Sequence, residues 1–118
     1  MTTSNIKRGE IYYAALDPVV GSETGKTRPV VIIQNDIGNQ YSPTTIIAVI
    51  TEYSEKKANY PICVSIGTDV GMKKPSIVNL SQIRTIDNRR LLLPKIAVLS
   101  QEIMANVDMA LKNSLALK

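Results

Sequence analysis

The sequence contains no histidine, no tryptophan and no phenylalanine, and it has a single cysteine. Without histidine, the chain cannot use imidazole as a general acid or base, form a Ser-His or Cys-His nucleophilic pair, or bind zinc through histidine. The lone Cys63 cannot form a disulfide within the chain, and its apolar neighbours favour a buried structural thiol over a reactive one. Any enzyme built on this sequence therefore has to work without imidazole.

The sequence also lacks long uninterrupted apolar runs. No segment approaches the length of a membrane-spanning helix, and the polar residues Met1 to Asn5 do not lead into the hydrophobic region of a signal peptide. A single cysteine fits a reducing compartment. We therefore expect a cytoplasmic protein with no membrane partner.

The residues that are present suffice for one hydrophobic core. A chain of 118 residues with 44% hydrophobic content fits one domain that needs neither a disulfide nor a metal for stability. We expect residues 1–118 to form this domain, with residues 1–6 flexible. Fourteen Lys and Arg against ten Asp and Glu give a net charge of +4, which favours an anionic partner without identifying one.

Short β-forming segments separated by turns dominate the first three quarters of the chain. The predicted strands are Gly9–Leu16, Val30–Gln34, Thr44–Thr51, Ile62–Ile66, Ser76–Leu80 and Ile83–Asp87, and polar loops at Val19–Thr27, Asn35–Pro43 and Glu52–Tyr60 separate the earlier ones. Ser100 can cap a helix, and apolar residues then recur at helical spacing to Leu117. The pattern predicts a mainly β fold, in which a strongly twisted, partly closed antiparallel barrel carries a C-terminal helix.

Segments spread along the chain resemble the signature of the MazF/PemK toxin family: Lys7–Tyr12, Pro18–Asp36, Ser42–Thr44 and Gln82–Asp87. They occur in the family's order and spacing, and the resemblance extends from about Lys7 to the final helix. It implies an SH3-like barrel, a homodimer and the toxin role in a type II toxin-antitoxin system. It further implies an endoribonuclease without metal or cofactor that cuts single-stranded RNA, mainly messenger RNA, at a short sequence. The implied inhibitor is a cognate antitoxin whose flexible acidic segment covers the active surface.

The resemblance also assigns roles to individual residues. The family's catalytic arginine falls on Arg28, and its catalytic threonine falls on Thr51. The positions expected to bind RNA are Gly21, Ser22, Glu23, Lys26, Thr27, Ser81, Gln82 and Arg84. Close relatives commonly carry an acidic residue just before the Gln-Ile-Arg block, where this chain has Ser81. The base preference of this chain is therefore left open.

These residue types suit RNA cleavage without a metal or imidazole. The 2′-hydroxyl of RNA lies next to the phosphorus, so the substrate can supply its own nucleophile and leave a 2′,3′-cyclic phosphate and a 5′-hydroxyl. Arg28 can donate two hydrogen bonds to a phosphate, and because arginine side chains rarely release a proton, electrostatic stabilisation is favoured over proton transfer. Thr51 can donate to the same phosphate or orient the 2′-hydroxyl. DNA lacks this hydroxyl and should not be cut.

Other interpretations use the same residues. Arg28 could be an ordinary exposed charge, and Thr51 an ordinary residue at a strand end. The chain could instead be a toxin of the same fold that acts on DNA gyrase, or a non-catalytic RNA-binding barrel. Asp36 with Glu55 and Lys57 faintly resembles a metal-dependent nuclease site, although an acid-x-Lys triplet is common by chance.

Overall fold

The computed structural model describes residues 5–118. The strands are β1 (Glu10–Ala15), β2 (Thr27–Ile32), β3 (Thr44–Glu52), β4 (Cys63–Ile66), β5 (Ser76–Asp87) and β6 (Leu91–Val98), and the α-helices are α1 (Asp36–Tyr41), α2 (Glu55–Ala58) and α3 (Gln101–Leu115). Short 3-10 turns occur at Thr68–Val70 and Asn88–Arg90. A mainly β fold with a C-terminal helix is confirmed.

The strands form one antiparallel sheet in the order β4-β5-β3-β2-β1-β6. The outermost strands, β4 and β6, are not neighbours in this order and form the two edges of the sheet. The twisted antiparallel sheet agrees with the prediction, but within the residues described it does not form a closed barrel. The sheet is twisted but open, because β4 and β6 each hydrogen-bond to one neighbouring strand instead of to each other.

The centre of the sheet is buried on both faces. Val30, Val31 and Ile32 of β2 are each 0% exposed. Val31 belongs to a core that includes Val107 of α3, whereas Val30 and Ile32 belong to a second core on the opposite face. The prediction of a strand buried on both faces is confirmed, and burial of each such side chain stabilises the fold by about 1.5–3 kcal/mol.

The C-terminal helix begins and packs as predicted. The Ser100 hydroxyl accepts a hydrogen bond from the backbone N–H of Ile103 at 3.2 Å. Met104 and Val107 lie one turn apart on the buried face of α3. None of the helices within residues 5–118 is both long enough and apolar enough to cross a membrane.

Two short helices replace segments predicted as loops. The side chain of Asn35 accepts from the backbone of Gly38 at 2.8 Å and begins α1. The hydroxyl of Ser54 accepts from the backbone of Lys57 at 3.0 Å and begins α2. Both helices depend on a cap more than on apolar periodicity, which explains why the pattern of the sequence did not reveal them.

The strands near the C-terminal end also differ from the prediction. The predicted strands Ser76–Leu80 and Ile83–Asp87 are one strand, β5, which has a register shift opposite Ala48 and Val49 of β3. β6 was not predicted, and it contains Pro94. Proline is tolerated there because β6 is an edge strand that pairs with β1 alone.

The N-terminal segment is more ordered than expected where the structure describes it. Residues 1–4 of the segment predicted to be flexible lie outside the described residues. Ile6 is 2% exposed and packs in the second core with Tyr12 and Leu16. Ile6 therefore attaches the described end of this segment to the second core.

Cys63 is half-buried in β4 rather than fully buried. Burial raises the pKa of its thiol, and the nearby charge of Lys57 opposes this effect only in part. A raised pKa leaves less thiolate at neutral pH, which agrees with a structural rather than a reactive cysteine.

Candidate active site

Strand register brings the two predicted catalytic residues together. Val30 of β2 pairs with Val49 of β3. Continuing this antiparallel register by two residues on each strand places Arg28 opposite Thr51, on one face of the sheet, because side chains alternate along a strand. Both residues line a cavity of about 200 Å³.

The cavity combines an apolar floor with a polar rim whose charged side chains are mostly cationic. Apolar atoms come from Pro29, Ile50 and Met72. The polar lining residues are Tyr13, Thr27, Arg28, Thr51, Glu52, Lys73, Lys74 and Ser76. Three of these side chains carry a positive charge and one carries a negative charge. The cavity therefore favours an anionic ligand.

Arg28 is half-buried and loosely held. Its Nε donates a long hydrogen bond of 3.4 Å to the backbone oxygen of Gly25. Its terminal nitrogens have no hydrogen-bond partner within residues 5–118. The planar end of the guanidinium is therefore available for two parallel hydrogen bonds to a phosphate.

Thr51 carries a buried hydroxyl with no hydrogen-bond partner among the residues described. An unsatisfied buried polar group lowers stability by about 1–3 kcal/mol. Such a group in a cavity beside a half-buried arginine is suited to a ligand that accepts or donates a hydrogen bond. This feature depends on the folded surroundings of Thr51, so the sequence alone could not reveal it.

The carboxylate of Glu52 lowers the net positive charge of the cavity. Glu52 and Lys74 form an ion pair of 2.6 Å across the rim. The hydrogen bond and charge of Lys74 lower the pKa of Glu52, and the guanidinium charge of Arg28 lowers this pKa further by a smaller amount. Glu52 is therefore ionised at neutral pH and lies within electrostatic reach of Arg28.

A second, smaller cavity collects other residues predicted to bind RNA. It has a volume of about 110 Å³ and is lined by Glu23, Thr24, Val49, Gln82, Ile83 and Arg84. The backbone N–H of Thr24 donates to the side-chain oxygen of Gln82 at 3.4 Å. Ser81 and Gln82 lie in the stretch of β5 between Asn79 and Ile83, where the register with β3 shifts. Such bulges redirect side chains and are common beside active sites.

The loop between β1 and β2 contains Gly25, at a position where the surrounding atoms leave no space for a side chain. A Cβ atom added to Gly25 would overlap the carboxylate of Asp17 and approach a methyl of Val19 to 2.7 Å. The same Asp17 carboxylate accepts a hydrogen bond from the backbone N–H of Lys26 at 2.9 Å. Because Gly25 has no side chain, the end of the loop beside Arg28 can pack closely against Asp17 and Val19 at its start.

Two arginines fasten the start of this loop to the rest of the sheet. Arg84 donates to the backbone oxygen of Leu16 at 2.6 Å. Arg90 donates to the backbone oxygens of Ala15 at 2.8 Å and Asp17 at 2.6 Å. The start of the loop is thus held in place, although most of the loop's side chains are exposed.

The structure divides the predicted site residues into three groups. Thr27, Arg28 and Thr51 line the larger cavity, and Glu23, Gln82 and Arg84 line the smaller one. Gly21, Ser22, Lys26 and Ser81 are exposed and line neither of these two cavities. The hydroxyl of Ser81 donates to the side-chain oxygen of Asn79 at 2.6 Å, and the carboxylate of Glu23 accepts from the backbone of Val20 at 2.7 Å.

Sequence reasoning missed several lining residues of the larger cavity. Tyr13 was treated as an ordinary strand residue, and neither Lys73 nor Lys74 was considered. The available signal for Tyr13 was the alternation of the first strand, which places Tyr13 on the face opposite to the buried Tyr12 and Ala14. No signal in the sequence places Lys73 and Lys74 beside Arg28, because that proximity depends on the fold.

The metal-dependent nuclease considered above would need a cluster of metal-binding side chains. Within residues 5–118, no three His, Cys, Asp or Glu side chains lie close enough together to bind a metal. Asp36 accepts a hydrogen bond from the backbone N–H of Arg8 at 2.7 Å. Glu55 lies in the first turn of α2.

Known proteins are similar to this chain over nearly its whole length. Residues 7–115 match the family described as PemK-like, MazF-like toxin of type II toxin-antitoxin system. Endoribonuclease EndoA of Bacillus subtilis (strain 168) is 52% identical over 113 residues, which cover 95% of this chain and 96% of that protein. Endoribonuclease MazF of Staphylococcus epidermidis is 50% identical over 113 residues, covering 95% and 92% respectively.

Solved structures share the fold at lower identity. MazF from Deinococcus radiodurans has a TM-score of 0.79 at 19% identity and covers 95% of this chain and 97% of its own. The Mycobacterium tuberculosis toxin MazF-mt6 has a TM-score of 0.77 at 23% identity, with coverage of 92% and 98%. A mycobacterial endoribonuclease in complex with its cognate antitoxin has a TM-score of 0.75 at 19% identity, with coverage of 96% and 97%. This chain belongs to the PemK-like, MazF-like toxin family of type II toxin-antitoxin systems.

Proposed function

We propose that this chain is the toxin of a type II toxin-antitoxin system and an endoribonuclease that cuts single-stranded RNA, mainly messenger RNA, at a short sequence. The observation that carries the proposal is the pairing of Arg28 with the unpartnered hydroxyl of Thr51 in a cationic cavity. The two relatives that are 50% and 52% identical are both endoribonucleases, which supports the same activity here.

The cleavage step uses the substrate's own nucleophile. The 2′-oxygen forms a bond to the adjacent phosphorus while the bond from phosphorus to the 5′-oxygen breaks, which yields a 2′,3′-cyclic phosphate and a 5′-hydroxyl. The proton of the 2′-hydroxyl passes to solvent, and the leaving 5′-oxygen takes a proton from solvent. Alignment of the attacking group on the protein surface supplies a large part of the rate enhancement.

Arg28 and Thr51 stabilise the charge that develops during this step. The guanidinium donates two hydrogen bonds to the phosphoryl oxygens and places its positive charge beside them. The hydroxyl of Thr51, which has no hydrogen-bond partner among residues 5–118 of the free protein, gains one in the complex. The site requires no metal or cofactor, since the RNA provides the nucleophile and Arg28 provides the positive charge.

The non-nuclease alternatives fit these observations less well. A toxin that acts on DNA gyrase has no need of an arginine beside an unsatisfied hydroxyl, and the relatives at 50% and 52% identity act on RNA. A non-catalytic RNA-binding barrel would gain affinity from basic residues alone. It would not require the loss of stability associated with the buried hydroxyl of Thr51.

The proposed partners in the cytoplasm are single-stranded RNA, a cognate antitoxin and a second copy of the chain. The cationic cavity suits the flexible acidic segment expected of the antitoxin, and toxins of this fold occur in complex with antitoxins. The open edge strand β6 exposes Leu92, Leu93 and Val98, which suit a homodimer interface. A stable monomer at micromolar concentration in sedimentation would overturn the homodimer.

Cleavage of one long, unstructured, labelled RNA in excess EDTA tests the activity. We expect cutting to continue and the new ends to carry a 2′,3′-cyclic phosphate and a 5′-hydroxyl. Arg28→Ala should abolish cutting while leaving folding and antitoxin binding largely intact. Loss of cutting in EDTA with recovery in magnesium would show a metal-dependent enzyme. Growth inhibition by Arg28→Ala with intact cellular RNA would favour gyrase as the target.

A further inference from the structure

The larger cavity extends beyond the two proposed catalytic residues. On one side lies Tyr13 of β1, which pairs with Pro29 of β2 and with Leu92 of β6. Tyr13 is 38% exposed, whereas its neighbours Tyr12 and Ala14 are buried in the second core. An aromatic ring fixed on a strand and exposed at a cavity can act as a stacking surface for a nucleobase.

The lining of this cavity also includes two adjacent lysines. Lys73 and Lys74 lie in the loop before β5, and both are exposed. Lys74 is held by Glu52 in an ion pair whose side chains are 64% and 74% exposed. Ion pairs this exposed contribute little to stability, so an RNA phosphate can replace Glu52 as the partner of Lys74.

We propose that this part of the cavity binds the nucleotide adjoining the cut, with its base against Tyr13 and its phosphate against Lys73 and Lys74. The volume of about 200 Å³ and the apolar floor of Pro29, Ile50 and Met72 suit one unpaired base. The inference rests on the proposed endoribonuclease function, and it adds a binding role for three residues that sequence reasoning did not select.

Glu52 opposes RNA binding in this arrangement. In the free protein its carboxylate accepts a hydrogen bond from the ammonium group of Lys74. An incoming phosphate would therefore approach a negative charge. The carboxylate also lies within electrostatic reach of Arg28. Glu52→Gln keeps the shape of the side chain but removes its charge, so this variant should bind RNA more tightly.

Binding of an uncleavable RNA, with a 2′-deoxynucleotide at the mapped cut, tests the lysines. We expect the double variant Lys73→Ala/Lys74→Ala to lower the slope of log Kd against log salt by about 0.7 for each lysine removed. The matched control is Lys112→Ala/Lys118→Ala, which removes two exposed lysines that do not line the cavity. The control should change the slope far less.

The base contact is tested with the same RNA and with an abasic copy that lacks the adjoining base. Tyr13→Ala should weaken binding of the intact RNA by about 5- to 150-fold, whereas Tyr13→Phe should bind like the wild type. The abasic RNA should bind equally well to the wild type and to Tyr13→Ala. Glu52→Gln should tighten binding of the intact RNA several-fold at low salt.

The outcomes separate this inference from the proposed function. Wild-type cleavage of RNA tests the function, and the binding variants test the subsite. The subsite is wrong if the Lys73/Lys74 and Lys112/Lys118 double variants have equal salt slopes. It is also wrong if Tyr13→Ala weakens the intact and abasic RNAs equally, or if Glu52→Gln weakens binding.

Discussion

The two cavities are held in place by different means. Arg28 and Thr51 belong to neighbouring central strands, and buried side chains pack against these strands on both faces. The smaller cavity lies where the loop between β1 and β2 meets β5, and one contact there is the 3.4 Å hydrogen bond between Thr24 and Gln82. The spacing of the proposed catalytic residues thus depends on the stability of the whole sheet. The shape of the smaller cavity, which we expect to bind RNA bases, depends on a few local contacts.

This difference has a consequence for motion. Segments with few buried contacts open locally at a lower free energy than the central strands, which open only with global unfolding. The loop can therefore adjust around RNA while Arg28 and Thr51 keep their spacing. Changes in each region should consequently have separable effects.

Among the variants that compare the two regions, the largest effect is expected from Thr51→Val, which alters the strand-held region. Loss of the hydroxyl should reduce kcat by about 100-fold or more, as for other donors to a transition state. The same change should raise the free energy of unfolding by about 1 kcal/mol, because it removes a buried polar group without a partner. Single-turnover cleavage and urea unfolding measure the two effects.

Thr51→Ser is the control for this prediction, since it keeps the hydroxyl. Most of the cleavage activity should survive in this variant. A Thr51→Val protein that is both less stable and fully active would show that Thr51 is an ordinary strand residue.

A moderate effect is expected from Gly25→Ala, which alters the loop-held region. The added methyl displaces the Asp17 carboxylate and Val19, so the loop shifts beside the smaller cavity. Cleavage at the preferred sequence should fall by about 10- to 100-fold. Cleavage of a dinucleotide that lacks flanking bases should fall less, because the loop contacts Arg28 only through the long 3.4 Å hydrogen bond to the Gly25 oxygen. A kinetic comparison of the two substrates separates recognition from chemistry.

Gly21→Asn is the matched control in the same loop. Gly21 has a φ of +56°, which asparagine tolerates, and a Cβ added there meets no atom within 4 Å. Equal losses on both substrates for Gly25→Ala would contradict the separation of the two regions.

The smallest effect is expected from Asp87→Asn and should depend on pH. The hydrogen bonds from Arg89 lower the pKa of Asp87 to about 2 from its ordinary 3.8. A lowered pKa in the folded protein stabilises the fold above the ordinary pKa, and this contribution is lost as the pH falls from about 4 to 2. Urea midpoints of wild type and Asp87→Asn should differ slightly at pH 7 and converge near pH 2. A gap that persisted at pH 2 would assign the effect to something other than this charge.

Sequence patterns predicted the parts of the fold that depend on local periodicity. The apolar run in β2, the β-branched run in β3 and the cap at Ser100 all produced the expected elements. α1 and α2 were missed because each is set by one capping side chain, at Asn35 and at Ser54. β6 was missed because its strand conformation depends on pairing with β1, which is distant in sequence.

The candidate site likewise combines features that the sequence predicted with features that depend on long-range packing. Family resemblance selected Arg28 and Thr51, and the strand register places them side by side. The unsatisfied state of the Thr51 hydroxyl and the proximity of Lys73 to Arg28 depend on long-range packing. No local pattern in the sequence encodes either of them.

The arginines that fasten the β1–β2 loop have an evolutionary consequence. Arg84 and Arg90 bind the main-chain oxygens of Leu16, Ala15 and Asp17 rather than their side chains. Main-chain oxygens are present whichever amino acids occupy those positions. These hydrogen bonds therefore do not depend on which side chains the loop carries. Loop residues can be substituted while the start of the loop stays attached. A toxin with this arrangement can acquire a new cleavage sequence through single substitutions, without first losing its fold or its chemistry.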